Sequence, residues 1–237
     1  MTSPAAAPAP QPGIMDCAEI YYAPADVFER RRLGQFGIPL LIFIIVTLVI
    51  FFATRNLVQP LMDMDFNRGM AKAMAKNPQF TQDMANAAHA NYMKFAPIGV
   101  VFFATIAPLL VGLVVWIVAK LSGAALGFKQ GMTVGVFSMF PVIVEQIGNA
   151  AQMAMNGGDV ISKYDVSVGP ARFMSGASEV ARAAVGHLDL WTIWMAFVIY
   201  VGVKVIGKTS KQAAAIVAIV CWVLGALPAL FGAIRAS

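Results

Sequence analysis

FGIPLLIFIIVTLVIFFAT, residues 36–54, carries no charge across nineteen positions. A bilayer's hydrocarbon core takes about 20 apolar residues of helix to cross, within a range of roughly 17–25. Lipid cannot pair with backbone N–H and C=O groups, so such a stretch must close its hydrogen bonds internally as a helix. Four further apolar stretches follow at residues 97–119, 132–147, 190–206 and 213–234, and only the third contains an acidic residue, Glu145. The fold class read from this pattern is all-α, a polytopic transmembrane helix bundle of about five spans with interfacial amphipathic helices.

Composition agrees. Apolar residues make up 59% of the 237-residue chain and charged ones 12%, against roughly 45–50% and 25% in soluble domains. The net charge of +5 is scattered along the chain, and no nucleic-acid partner is expected. The basic residues instead stand beside span boundaries, as at Arg30, Arg31, Arg32, Arg55, Lys94, Lys120, Lys129, Lys204, Lys208 and Lys211. Compact basic segments next to the membrane set orientation, which places the amino terminus in the cytoplasm and the carboxyl terminus outside. The first hydrophobic stretch is too long and starts too late for a signal peptide, and no small-residue cleavage site follows it. Cys17 and Cys221 lie in different environments and belong to no metal-spacing motif.

Outside the spans, residues 1–13 (MTSPAAAPAPQPG) read as a disordered Pro/Ala-rich tail. Residues 14–35 form an interfacial segment. Pro24 there suits a first helical position. Val27, Phe28 and Leu33 are set to lie on the membrane while Arg30, Arg31 and Arg32 meet headgroups. Residues 36–237 make the membrane domain. Within it, Met62, Phe66, Met70 and Met74 recur every four residues, with Asp65, Arg68 and Lys72 elsewhere on the wheel. Met84, Ala88 and Tyr92 repeat the pattern after Asn77-Pro78. Loop 55–96 is therefore expected to hold two amphipathic helices that bury Phe66, Met70, Met74, Met84 and Tyr92 against headgroups or the bundle. The long link after the third span carries the turn signal Asn156-Gly157-Gly158, then a short helix near 177–184.

Candidate functional residues are few. Gly123, Gly127, Gly131 and Gly135 recur every four residues and offer a face for close helix packing, although a Gly-rich turn is an equal reading for the first two. Glu145, beside Gln146 and one turn after Pro141, is a possible intramembrane polar site. Its alternatives are a titrating group in a transport cavity or a carboxylate bonded near the surface. Fourteen methionines, several close to His89, raise copper(I) as a ligand, yet their spacing is that of an ordinary helix stripe. No metal site, cofactor or catalytic residue is assigned. His89 and His187 sit in different loops, and no nucleophile or phosphate-loop motif is present, so no enzyme is expected.

Three segments carry a resemblance. AEIYYAPADVFERR (18–31) resembles the entry segment of bacterial Yip1-domain proteins, and FPVIVEQIG (140–148) is similar to that family's third span. LDLWTIWMAFVIYVGVKVIGKTSKQAAAIVAIVCWVL (188–224) resembles its closing hairpin. The resemblance implies five spans with a cytoplasmic amino terminus, in a bacterial inner (plasma) membrane. The chain lacks the Asp-Leu-x-Gly-Pro element of the trafficking members, so GTPase binding is not carried over. The function expected is a non-enzymatic scaffold, assembly or accessory subunit. Its partners are membrane lipids and homo- or hetero-oligomeric membrane proteins, met through helix packing or membrane shaping. The alternative is a small transporter or channel using Glu145.

Overall fold

The computed structural model describes residues 13–236 apart from 78, 157–159 and 161. The expected tail at 1–13 lies outside the described residues except for Gly13, which opens a helix, and the Gly157-Gly158 turn also lies outside them. Nine α-helices are described: α1 (Gly13–Glu19), α2 (Pro24–Arg30), α3 (Gly37–Lys76), α4 (Gln82–Leu121), α5 (Phe128–Ser138), α6 (Pro141–Met155), α7 (Glu179–Gly186), α8 (Leu190–Ile206) and α9 (Lys211–Ala236). Two 3₁₀ turns, Lys163–Val166 and Pro170–Phe173, lie between α6 and α7. No strand occurs among the described residues. Helices α3, α4, the α5–α6 pair and α9 are long and apolar enough to span a bilayer. Helix α8, with 17 residues, meets the same test only together with α7 across a bend of 41°, which gives four spans, or five with that pair counted.

The third span is the centre of the bundle. About two thirds of its apolar window is buried, against about a fifth in α3, α4 and α9. It is one span in two pieces. Pro141 stands at the first position of α6, and having no N–H it cannot bond the preceding turn, so the helix breaks at Met139 and Phe140. Aromatic side chains fill the space around the break. Phe137 stacks on Phe140 with centroids 5.8 Å apart, Phe43 of α3 lies 5.8 Å from Phe140, and Phe28 of α2 lies 5.9 Å from Phe137.

Glycines set how closely α4 meets α5. A Cβ on Gly135 would fall 2.2 Å from the Gly112 nitrogen, and one on Gly131 would fall 2.6 Å from the Trp116 Cβ. Hydrocarbon gives helices no hydrophobic drive to associate, so this backbone-to-backbone approach supplies the dispersion contact that holds them. Gly123 and Gly127 do not share that role, a correction to the four-glycine packing face. Gly123 takes a left-handed φ of 76° just after α4, with nothing near its Cβ position. Gly127 caps α5, donating its N–H to the Gln130 side chain at 2.7 Å. The four-residue spacing runs across a turn, and only its second half lies on a helix.

A second correction concerns the amino-terminal segment. α1 and α2 form a small helical hairpin wedged into the bundle. Phe28 and Val27 are fully buried, not spread on the membrane surface, because Gly202 of α8 leaves room for the Phe28 ring. The Tyr21 hydroxyl donates to the Phe140 carbonyl at 2.9 Å, and its ring meets Trp194 edge-on at 5.7 Å. Trp194 and Gly202 are eight residues apart on α8, so the wedge follows that helix for about 12 Å. Arg30 and Arg31 are likewise not free for headgroups. Both pair with Asp16, which is wholly buried, and Arg30 also pairs with Glu19. Arg32 alone of the three stays half exposed, paired with Glu29. A carboxylate out of water is tolerated only when paired and hydrogen-bonded, and two guanidinium groups meet that demand.

The expected helices of loop 55–96 exist, but they are continuous with the spans. α3 and α4 have 40 residues each, about 60 Å at 1.5 Å per residue and twice a hydrocarbon core of about 30 Å. Extending a formed helix adds one bond per residue, whereas a restart needs a fresh nucleus, so Pro60 and Pro97 are passed without a break. The two extensions pair as an arm. The Phe66 ring lies 5.1 Å from His89 and 5.2 Å from Tyr92, and His89 Nε2 is 2.8 Å from Asp63. Phe66, Met70 and Met74 are half-buried, while Asp65, Arg68 and Lys72 are exposed. Met84 and Tyr92 are not covered by the bundle, which leaves headgroups as the other of the two surroundings expected for them, and the buried residue on that side is the smaller Ala85.

Two outcomes follow for thermal unfolding in mild detergent. Gly135→Ala must drive α4 from α5 and is expected to cost about 1–3 kcal/mol, the usual range for overpacking. Gly99→Ala has open space and is expected to be neutral or stabilising by about 0.5–1 kcal/mol. The wedge makes its own signature. Burial, with Asp16 adjacent, lifts the Cys17 thiol from 9.0 to about 12, so the folded protein holds that proton. The resulting stability is complete below the unfolded value and fades as pH climbs through the folded one. Cys17 is expected to resist maleimide at mildly alkaline pH and to label readily in Asp16→Ala. That variant should lose roughly 3 kcal/mol, the low end for a broken buried pair, because Arg30 keeps partial access to water.

Candidate functional site

At the end of the bundle opposite the wedge, the segment between α6 and α8 folds into a cap. Gln152 of α6 donates to the Val166 carbonyl at 2.8 Å and accepts from Arg172 at 2.8 Å. Arg182 of α7 pairs with Asp165 at 3.3 Å and lies over the Tyr164 ring. Ser178 begins α7 by accepting from the Ala181 N–H. Asp189 closes the cap. It opens α8 by accepting from the Trp191 N–H at 3.0 Å, and it also accepts from Val168 N–H at 3.0 Å and from the Ser167 hydroxyl. His187 is fixed by a contact of its own, Nε2 lying 2.7 Å from the Trp222 carbonyl of α9, with the two rings packed together.

Under this cap α6 presents its polar residues to two different spaces. Glu145 borders a cavity of about 200 Å³ together with Asn149, Lys163, His187, Asp189 and Thr192. Gln146 borders a groove of about 490 Å³ between α3, α4 and α6. Consecutive residues on a helix point about 100° apart, so the two do not form one site. Among the described residues Glu145 makes no hydrogen bond or ion pair. Burial, with Glu179 next in effect, raises the Tyr164 phenol above its usual value of 10.0, so the phenol keeps its proton. The cavity therefore sets Glu145 and the hydrogen-bonded Asp189 beside Lys163, His187 and Asn149, and it is not a purely acidic space.

The remaining candidates lie apart from this cavity. Gly131 and Gly135 face α4, and Phe28, Arg30 and Arg31 belong to the wedge. Phe66, Met70 and Met74 run along the arm. No group of three or more His, Cys, Asp or Glu side chains suited to a metal occurs among the described residues. Asn149 and Ser167 escaped the reading of the sequence, since each is an ordinary polar residue until the cap folds, and His187 reads there only as a histidine in a different loop from His89. Asp189 alone left a signal, as a capping residue directly before an apolar run.

The family model for the Yip1 domain matches residues 18–232, nearly the whole chain. No curated protein and no solved structure matches it. The matched span begins inside α1 and runs through the wedge, the broken third span and the α8–α9 hairpin, which are the segments whose packing builds the bundle. The chain belongs to the Yip1-domain family of multi-pass membrane proteins.

Proposed function

We propose that this protein is a non-enzymatic scaffold or accessory subunit, and that it docks partner membrane proteins along the α3–α4 hairpin. The observation that supports it is the hairpin's bareness. Both helices leave most of their apolar windows uncovered, and both run on for about 30 Å beyond a bilayer core. The arm keeps Met84, Tyr92 and Phe95 exposed. The Gly131 and Gly135 face cannot serve this purpose because α4 already occupies it. We place the amino terminus in the cytoplasm of a bacterial inner membrane, which puts the arm outside.

Photocrosslinking in native membranes tests this. A photoreactive residue at Met84 or Tyr92 is expected to give a protein adduct of defined mass, either a partner or a second copy. Phe66→Ala, which loosens the arm, is expected to weaken that adduct. Adducts with lipid alone at every arm position would count against docking.

The Glu145 cavity favours a second reading, a small transporter or channel. In proteoliposomes, proton or monovalent-cation flux that Glu145→Gln reduces by about tenfold or more, as loss of an essential charge does, would support it. Flux that Glu145→Gln leaves intact would remove this residue from any such mechanism.

A further inference from the structure

The groove of about 490 Å³ beside Gln146 lies within the roughly 300–1,000 Å³ typical of ligand sites. It opens between two spans. On α3 its wall is a single helix face, Thr47, Ile50, Thr54, Val58 and Leu61, fourteen residues or about 21 Å long. On α4 the facing residues include Ala96 and Gly99, and their small size creates the space. Lys163, on the cap, borders the groove together with Tyr92. Among the described residues Lys163 forms no ion pair, and its ammonium rests over the Tyr164 ring at 5.3 Å.

The polar atoms along this groove are incompletely satisfied. Threonines in an apolar helix normally give the hydroxyl to their own helix, and Thr54, Thr105 and Thr133 do so, bonding Ile50, Val101 and Lys129 carbonyls at 2.7–2.9 Å. Thr47 does not. It is only 7% exposed, and its Oγ1 has no partner. Buried Asn149 Oδ1, further along the same groove, also lacks one. A buried polar atom inside a membrane is costly to leave unpaired, so both point to a ligand with polar atoms set between apolar chains.

We propose that the groove holds one anionic glycerophospholipid. Its phosphate meets Lys163 at the cap, a headgroup hydroxyl donates to Asn149 Oδ1, an ester carbonyl accepts from the Thr47 hydroxyl and the Gln146 amide, and an acyl chain runs on between Ala96 and Gly99. The order of these groups along the groove, cation first and apolar walls after, is the order of groups in such a lipid. The proposal is independent of partner docking and of ion flux.

Native mass spectrometry of the full-length protein tests it, after extraction from nanodiscs of phosphatidylcholine with a minor share of phosphatidylglycerol. The wild type is expected to retain one phosphatidylglycerol. A Cβ at Gly99 meets nothing within 4 Å, so Gly99→Leu fills the groove without disturbing packing, and is expected to lose the bound lipid. Gly69→Leu, equally unhindered but on the arm, should retain it. Lys163→Gln is expected to cut the preference for phosphatidylglycerol over phosphatidylcholine by about tenfold, the size of one charge-assisted contact. Thr47→Val, which keeps shape and removes the hydroxyl, should lower retention with helicity unchanged. Equal lipid retention by Gly99→Leu and the wild type, or equal retention of the two lipids by the wild type, would overturn the proposal.

Discussion

The contact on which the rest of the bundle depends is the one where Gly135 of α5 meets Gly112 of α4. Their backbones approach so closely that neither position has room for a methyl group. Dispersion falls off steeply with separation, and in lipid it has no hydrophobic term to reinforce it, so an extra ångström there would cost most of the attraction. Once α5 lies against α4, its continuation past Pro141 is directed between α3 and α8. The aromatic side chains of Phe137 and Phe140 then find Phe28 and Phe43 on either side.

The wedge depends on that arrangement and completes it. Phe28 enters the space over Gly202 beside Val134 of α5, and Tyr21 takes the Phe140 carbonyl next to the helix break. Holding a short two-helix hairpin there brings Asp16 out of water. The pairing with Arg30 and Arg31 offsets that cost. It also sets the register of α1 against α2, since a shift of one residue would carry Asp16 away from both guanidinium groups. Gly34, at a left-handed φ of 86°, then lets the chain pass tightly over Lys129, and Gln130 ties the passage to the Arg32 carbonyl at 2.8 Å.

The spans were legible because an uncharged run such as 36–54 has a single physical outcome in lipid. Gly131 and Gly135 could be singled out for the same reason, since small residues have few other uses within a span. Long-range partners were not legible. Phe28 reads as interfacial beside three arginines, and only Gly202, some 170 positions later, makes it a core residue. The arm helices were visible as a four-residue period, but periodicity does not say whether a helix stops at the membrane surface or runs on from the span. The cavity at Glu145 was half legible. A lone intramembrane carboxylate announces itself, whereas Ser167, His187 and the cap that brings them to it are set by tertiary hydrogen bonds with no local sequence pattern.

These contacts make the two ends of the bundle unlike. The wedge end is filled by Val27, Phe28, Val134 and Val203, each with no exposure, and is closed by ion pairs. At the other end, cavities of about 490, 760, 180 and 200 Å³ are lined by the outer halves of α3 and α4, the cap, and the last turns of α6 and α9. Packing density explains the difference. Close-packed interiors have few voids and low compressibility, so the wedge end has no room for a guest. An end with open volume, unpaired Thr47 and Asn149, and Lys163 bordering three of its four cavities can accept a guest without repacking. If the groove and the arm bind as proposed, stability resides at the wedge end and binding at the other. Substitutions in the wedge should therefore act through folding, whereas substitutions around Lys163 are free to change what is bound while the bundle stays intact.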